Sequence, residues 1–231
     1  MSGRAMTIGV LAAAVATTAS LPAAAVSHAP LSKPQARTVA KHINLRQTDF
    51  PGYTAHPHHR SKGGTALAKE YAACRGVVPK VAEVTSPAFA GNGVGFYSVT
   101  RFVASRAAAQ HDSQLAVSEQ ARDCLKRELK EIATAIGASD AQVTLTPVAE
   151  GPVKGIDAIS AIQITVDWTA YGFHGTLHGW VVNFQRGNAE VTLDELGTTN
   201  VAQSAVQVPL SHLIARAKHR VPAGGLAIRR S

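Results

Sequence analysis

Strict alternation of apolar and polar residues is clearest in the second half of the chain. Every second residue from 162 to 168 is apolar and polar residues stand between them, which is the period of a strand with one buried face. Related patterns predict strands over 81–87, 94–103, 142–149, 159–170, 176–184 and 189–196. Turn motifs separate the last three segments at the spacing of β-hairpins.

Apolar residues recur at three- and four-residue spacing in three other segments, 65–74, 105–136 and 208–219, which predicts helices there. The middle segment begins at the capping residue Ser105 and closes at Gly137, and its pattern allows a break near Ser118. Strands follow one another too often for alternating βαβ units. The order therefore predicts an α+β fold, an antiparallel β-sheet with helices packed mainly on one face.

The first 25 residues have the composition of a secretory signal peptide. Arg4 precedes an apolar run over 7–19, and the helix breaker Pro22 is followed by small residues. We expect cleavage near Ala25 or Ala29 and a protein that is secreted, extracellular or cell-wall associated; an N-terminal anchor helix or an alanine-rich buried helix is the alternative. No internal segment is long and apolar enough to span a bilayer.

Composition divides the rest of the chain into three parts. With 45% hydrophobic and 16% charged residues, bulk disorder is excluded. Residues 26–47 mix prolines, serines and basic residues without a period and predict a flexible basic linker. A turn at Pro51-Gly52 marks the start of a single domain over 48–219, and a basic tail is expected over 220–231.

The positive charge is concentrated toward the two ends. The formal net charge is +8, yet residues 63–215 carry eleven basic and fourteen acidic residues, a net charge of −3. Solvated, flexible ends are the ordinary interpretation, and an anionic surface is the kind of partner that basic tails would fit. The pattern of aromatic residues and glycines typical of specific nucleic-acid modules is missing.

The chain has two cysteines, Cys74 and Cys124. In a secreted protein an even number favours a disulfide over a metal site or a reactive thiol; two buried free thiols are the alternative. A bond between them closes a loop of 50 residues, for which chain entropy predicts roughly 4 kcal/mol of stabilisation.

Four short stretches carry a family resemblance. They are Asp49-Phe50-Pro51-Gly52-Tyr53, the cysteine-bearing helix 66–74, Ser86-Pro87-Ala88-Phe89 and the junction 102–109. The chain resembles actinobacterial secreted proteins that are similar to the extracellular sensor domain of a mycobacterial Ser/Thr kinase. The resemblance implies an α+β domain with an open cleft that binds a ligand, and it implies no catalytic apparatus. The chain has one cysteine pair where the kinase sensor has two.

Histidines provide the candidates for metal binding. His56, His58 and His59 lie close together in a segment with neither a carboxylate nor a cysteine, so we expect loose binding at most and no bound cofactor. His174 and His178 are four residues apart, which on the predicted strand separates them by about 13 Å, too far to share one metal.

No catalytic residue is predicted. The chain has no nucleophile elbow, zinc-binding helix or phosphate-binding loop of the known patterns, and the glycine-rich segment 91–95 precedes a strand, so we expect a flexible connection there. The acidic pair Asp194-Glu195 has the composition of an acid/base pair or of a solvated strand end.

Aromatic residues are concentrated around one predicted hairpin. Core packing is the ordinary explanation; a pocket or partner surface is the alternative. The candidate ligand-binding residues on this hairpin are Trp168, Tyr171, Phe173, His174, His178 and Trp180.

The sequence thus favours a secreted, sensor-like module that binds a small molecule or a component of the cell envelope. Two other hypotheses remain open at this point. One is a secreted hydrolase of an unrecognised family, which requires a carboxylate pair or a nucleophile with a perturbed pKa in a cleft. The other is a wall-associated interaction protein that uses its basic tails.

Overall fold

The computed structural model describes residues 30–58, 62–76, 78–135, 137–138 and 140–229. The predicted signal peptide lies outside these residues, as does His59. No helix in the described ranges is long and apolar enough to cross a membrane.

Within the described residues the chain forms five α-helices and eight strands. The helices are α1 (Lys33–Ile43), α2 (Lys62–Arg75), α3 (Arg106–Ala116), α4 (Glu119–Ala135) and α5 (Gln203–Arg220). The strands are β1 (Thr54–His56), β2 (Lys80–Thr85), β3 (Ala88–Gly91), β4 (Val94–Val103), β5 (Gln142–Val148), β6 (Ala158–Ala170), β7 (Phe173–Arg186) and β8 (Ala189–Gly197). The predicted long helix is divided into α3 and α4 at 117–118, where its pattern allowed a break.

All eight strands belong to one antiparallel sheet. Its order is β1-β3-β4-β8-β7-β6-β5, and β2 also pairs with β4. The predicted α+β class with an antiparallel sheet is therefore confirmed.

Tight turns fix the register of two hairpins. Tyr171 and Gly172 between β6 and β7 both have positive φ angles, 51° and 80°, and so do Asn92 (54°) and Gly93 (76°) between β3 and β4. Two residues with positive φ are what a type I′ hairpin turn requires. The glycine-rich segment is therefore a structured turn, and the prediction of a flexible connection there is wrong.

Consecutive residues of a strand point to opposite faces of the sheet, and both faces are covered by helices. Ala161 of β6 packs with residues of α1 and α5, on what we call the apolar face. The next residue, Ile162, packs with Leu125 and Leu129 of α4 on the other face. That second face also carries α2 and α3, so three of the five helices of the described chain lie there.

Helix α1 falls inside the segment for which we predicted a flexible linker. Ser32 caps it and forms a capping box with Gln35, and its apolar stripe, Ala36, Ala40 and Ile43, is completely buried against the apolar face. The prediction of a linker is therefore wrong for residues 33–43. Val39 also packs against this core, and Asn44 after the helix donates to the Val84 carbonyl at 2.8 Å.

The end of the described chain is also folded. Val221 is completely buried, and Leu226 and Ile228 pack against the core. Leu31 forms a parallel bridge with Ile228, in which the Leu31 amide donates to the Ala227 carbonyl (2.7 Å) and the Arg229 amide donates to the Leu31 carbonyl (2.8 Å). The prediction of a free tail from residue 220 is wrong as far as residue 229.

A disulfide joins Cys74 of α2 to Cys124 of α4, as predicted. Arg75, the next residue after Cys74, is the last of α2, and its guanidinium lies 5.7 Å from the ring centroid of Tyr71. The bond therefore fixes the end of the helix from which Arg75 projects.

Candidate functional site

A cleft of about 520 Å³ opens between α3 and the sheet. Its volume falls within the range of roughly 300–1,000 Å³ typical of small-molecule sites. Helix α3 packs across β4, β7 and β8, the middle of the sheet. We call the side of the sheet beneath it the cleft face.

The strand register explains why the floor of this cleft is polar. Two rows of side chains cross the cleft face from strand to strand, because directly paired residues point the same way. Pairing brings Ser160, Asn183 and Thr192 into one row. It brings Ala158, Gln185, Glu190 and Arg101 into the next row. In the middle of a sheet covered by a helix these positions are usually apolar.

Side chains of the floor are held by hydrogen bonds. The Thr192 hydroxyl donates to the Asn183 amide oxygen at 2.7 Å. Gln185 is completely buried; its amide donates to the Gly187 carbonyl (2.9 Å), and its oxygen accepts from the Ser113 hydroxyl of α3 (3.3 Å). The floor is thus an ordered hydrogen-bonding surface.

The roof of the cleft comes from α3 and the turn after it. Gln110 and Gln114 are exposed on α3, and Val117 is an exposed apolar residue at the rim. All three line the cavity together with the floor. Amide groups at the opening offer a donor and an acceptor each, and Val117 adds an apolar contact.

A chain of ion pairs closes the deep end of the cleft. The Arg75 guanidinium lies 3.2 Å from both oxygens of Asp112, and Arg101 bridges Asp112 to Glu190. The four side chains come from α2, α3, β4 and β8. Their charges cancel, two positive against two negative.

A second ion pair lies at the side of the cleft. Arg106 donates to Asp157 at 2.9 Å, and the other oxygen of Asp157 accepts from the Gly187 amide at 2.6 Å. The charged residues that line the cleft are therefore paired. The groups at its opening are amides and hydroxyls.

Burial raises the pKa of the Glu190 carboxyl, and the neighbouring Arg101 guanidinium opposes this rise. The Nε–H of Arg101 donates directly to one oxygen of Glu190. The other oxygen is buried and has no hydrogen-bond partner among the described residues. Glu190 is thus held by Arg101 and is withdrawn from the open part of the cleft.

The predicted aromatic residues lie elsewhere, and the structure does not bring them together in one pocket of the described chain. Tyr171 and Phe173 stand at the hairpin tip, 87% and 74% exposed. Trp180 is buried in the apolar face, where its indole N–H donates to the Val201 carbonyl at 3.1 Å. Trp168 points to the opposite face. A binding role for these residues stays a prediction.

Trp168 has a clear packing role. Its ring lies over Gly175, its partner across the hairpin, so closely that a Cβ on that glycine would be 2.4 Å from the indole. An aromatic ring that covers a strand glycine stabilises the local pairing. This arrangement matches the core-packing explanation for this residue.

The histidines show no shared metal geometry in the described part of the chain. His174 and His178 both lie in β7, which begins three residues before the predicted strand, and the Nδ1 atom of His174 is 2.9 Å from the Thr169 hydroxyl. His56 lies in β1, and the His58 ring is 4.5 Å from the Tyr97 ring. Among the described residues no three His, Cys, Asp or Glu side chains are grouped for a metal.

Sequence reasoning did not identify the residues that line this cleft, although a signal was present. The polar residues of β7 and β8 that form its floor alternate with buried apolar ones, which is the usual pattern of a strand with one face in water. Only the position of α3 over these strands shows that the polar face is covered. The ion pairs join residues up to 89 positions apart, so no local motif marks them.

Comparison with known proteins gives a coarse likeness of fold. No family model matches the chain, and no curated protein matches it. The extracellular domain of PknH from Mycobacterium tuberculosis has a TM-score of 0.42 and 9% identity, over 83% of this chain and 99% of that one. A protein of unknown function from Pseudomonas aeruginosa, PA94, a putative regulator by its description, has a TM-score of 0.23 and 14% identity, over 64% of this chain and 83% of that one.

Proposed function

We propose that this protein is an extracellular, sensor-like module that binds a small, uncharged polar molecule in the cleft between α3 and the sheet. The observation that carries the proposal is the polar floor: the row formed by Ser160, Asn183 and Thr192 lies under a helix in the middle of the sheet. Burying a polar group without a partner costs about 1–3 kcal/mol. Helix α3 lies over these hydrogen-bonding groups but leaves a cavity above them. Such a cavity fits a site in which a ligand supplies the missing partners.

The charge arrangement supports an uncharged ligand. The three arginines at the cleft, Arg75, Arg101 and Arg106, are paired with three carboxylates. An ionic ligand would have to compete with these pairs, and breaking a buried pair is costly. The amides and hydroxyls at the opening suit hydroxyl or amide groups of a ligand, and Val117 suits its apolar side.

An extracellular location is supported by the disulfide and by the signal-like first 25 residues, because disulfides persist in oxidising compartments. An envelope component or a small extracellular molecule is therefore the ligand class that we expect.

The hydrolase hypothesis is less well supported by this geometry. Asp112 and Glu190 are the deep carboxylates of the cleft, and both are held by arginine side chains. A general acid or base has to reach the substrate within hydrogen-bonding distance, whereas both side chains are at least 90% buried. Binding without turnover is thus the better account of the cleft.

A ligand screen tests the proposal. We expect isothermal titration calorimetry of the protein from residue 26 onward to detect binding of neutral saccharides, polyols or amides, and to detect none of their charged analogues. Thr192→Val removes one hydroxyl from the floor and leaves the Asn183 oxygen unpaired, so affinity should fall about tenfold, as expected for one lost hydrogen bond.

Thr144→Val provides the matched control, because Thr144 is exposed on the edge strand β5, away from the cleft. It should leave the affinity unchanged. Equal losses in both variants, or a screen in which every compound that binds is charged, would contradict the proposal.

A further inference from the structure

The layer formed by α1 and α5 carries only positive charge. Neither helix contains an aspartate or a glutamate, and together they hold six lysines and arginines. These are Lys33, Arg37, Lys41, Arg216, Lys218 and Arg220. By contrast, residues 63–215 have a net charge of −3.

Burial divides each helix into an apolar and a basic side. On α1 the buried stripe of alanine and isoleucine faces the sheet, while Lys33, Arg37 and Lys41 repeat every fourth residue and are exposed. On a helix such a repeat lies on one side and spans about 12 Å. The basic residues therefore form a row that points away from the core.

Helix α5 adds exposed basic residues to the same layer. It contacts α1, and Lys218 and Arg220 in its last turn are exposed. Arg216 is tied down by Asp49 and by the Asn44 carbonyl, to which it donates at 2.8 Å. We call the five exposed residues the basic face: Lys33, Arg37, Lys41, Lys218 and Arg220.

Among the described residues no salt bridge involves a member of the basic face. Elsewhere the basic residues are mixed with acidic ones, as on α4, where Lys126 and Lys130 alternate with four carboxylates. Like charges repel one another, so five exposed basic residues that have no salt bridge among the described residues gain from an anionic partner.

From this geometry we propose that the basic face docks the protein on a bilayer that contains anionic lipids. Each lysine or arginine near such a surface contributes about 1 kcal/mol of attraction, so several together hold a protein reversibly. The face is spread over two helices, and the cleft lies on the opposite side of the sheet. Neither helix has a phenylalanine, tyrosine or tryptophan for stacking on nucleobases.

The docked orientation leaves the cleft accessible. The basic face covers the apolar side of the sheet and the cleft opens on the other side. A protein attached through α1 and α5 therefore presents its ligand site away from the lipid.

Vesicle sedimentation tests the proposal with the protein from residue 26 onward. We expect binding to vesicles of 70% phosphatidylcholine and 30% phosphatidylglycerol at about 50 mM salt, little binding to pure phosphatidylcholine, and release at about 500 mM salt. Arg37→Glu combined with Lys41→Glu should weaken binding at least tenfold. The milder pair Arg37→Gln and Lys41→Gln should weaken it less, and thermal melts should show that both variants are folded.

Lys126→Glu combined with Lys130→Glu is the matched control, since it changes the net charge equally at the same spacing on α4. This control should bind nearly as wild type does. The proposal is overturned if both charge reversals weaken binding equally. It is also overturned if the wild type binds phosphatidylcholine vesicles as well as the anionic vesicles, or binds neither kind of vesicle. These results are independent of the cleft and its ligand.

Discussion

Glu195 is a buried carboxyl on the apolar face of the sheet. Its side chain is 2% exposed, it is paired across the strands with Trp180, and it has no side-chain partner among the described residues. Burial raises its pKa from 4.5 to about 7, and the backbone of Trp180 offsets only part of that rise. Glu195 therefore stays protonated in the folded protein at a pH where an exposed glutamate is ionised.

This shift makes stability depend on pH. Between pH 4.5 and about 7 the unfolded chain loses the Glu195 proton and the folded protein keeps it, so the free energy of unfolding falls as the pH rises and levels off above about 7. Glu195→Gln removes the titrating group. We expect it to raise the free energy of unfolding by about 2 kcal/mol at pH 8 and to change it little at pH 4.

Urea denaturation at both pH values measures this effect. Glu119→Gln, at an exposed position at the start of α4, serves for comparison and should have a similar small effect at both. A Glu195→Gln effect that is the same at pH 4 and pH 8 would mean that the carboxyl does not titrate in this window.

At the level of elements, the helices and strands that were easy to predict are those whose hydrophobic pattern repeats over many residues. The alternation in β6 and the stripe of α4 bury enough apolar side chains to be visible in the sequence. Strand β3 has four residues and α1 buries only two alanines and one isoleucine in its stripe. Their positions depend on partners far along the chain, so local pattern alone did not identify them.

Helix α1 should nevertheless contribute substantially to stability. Ile43 is completely buried in the main core, so Ile43→Ala removes packed atoms and leaves a cavity. We expect a loss of about 2–4 kcal/mol in the free energy of unfolding, measured by urea denaturation. Lys41→Ala, two residues away and exposed, should change it by less than about 0.5 kcal/mol. Equal small effects would show that this segment is the linker that the composition suggested.

For the whole molecule, the disulfide should stabilise the fold because it lowers the chain entropy of the unfolded state. It closes a loop of 50 residues that contains β2, β3, β4 and α3. Replacing both cysteines by serine should lower the free energy of unfolding by roughly 4 kcal/mol. Because Arg75 follows Cys74 and holds Asp112 at the cleft, the same change should also weaken ligand binding.

Thermal melts with and without reductant check this expectation. Reductant should lower the melting temperature of the wild type and leave that of the double serine variant unchanged. If reductant has no effect on the wild type under conditions that free both thiols, the bond does not contribute the expected stability.

The fold was easier to predict than the site for a physical reason. Strands and the disulfide follow from composition and period, whereas the cleft depends on which helix crosses which strands. The sequence pattern did not single out Asn183 and Thr192, and for Trp168 and Trp180 it left core packing and a pocket or partner surface open. In the structure the polar pair lies under α3, and Trp180 lies in the core.

The bridge between Leu31 and Ile228 has a mechanical consequence. Its two strands run parallel, so tension applied to the segments before residue 31 and after residue 228 pulls them in opposite directions along their length. Both backbone hydrogen bonds then carry the load at the same time and must break together, whereas bonds pulled apart sideways break one after another. The bridge should therefore resist a force applied to these two segments before the rest of the domain is loaded.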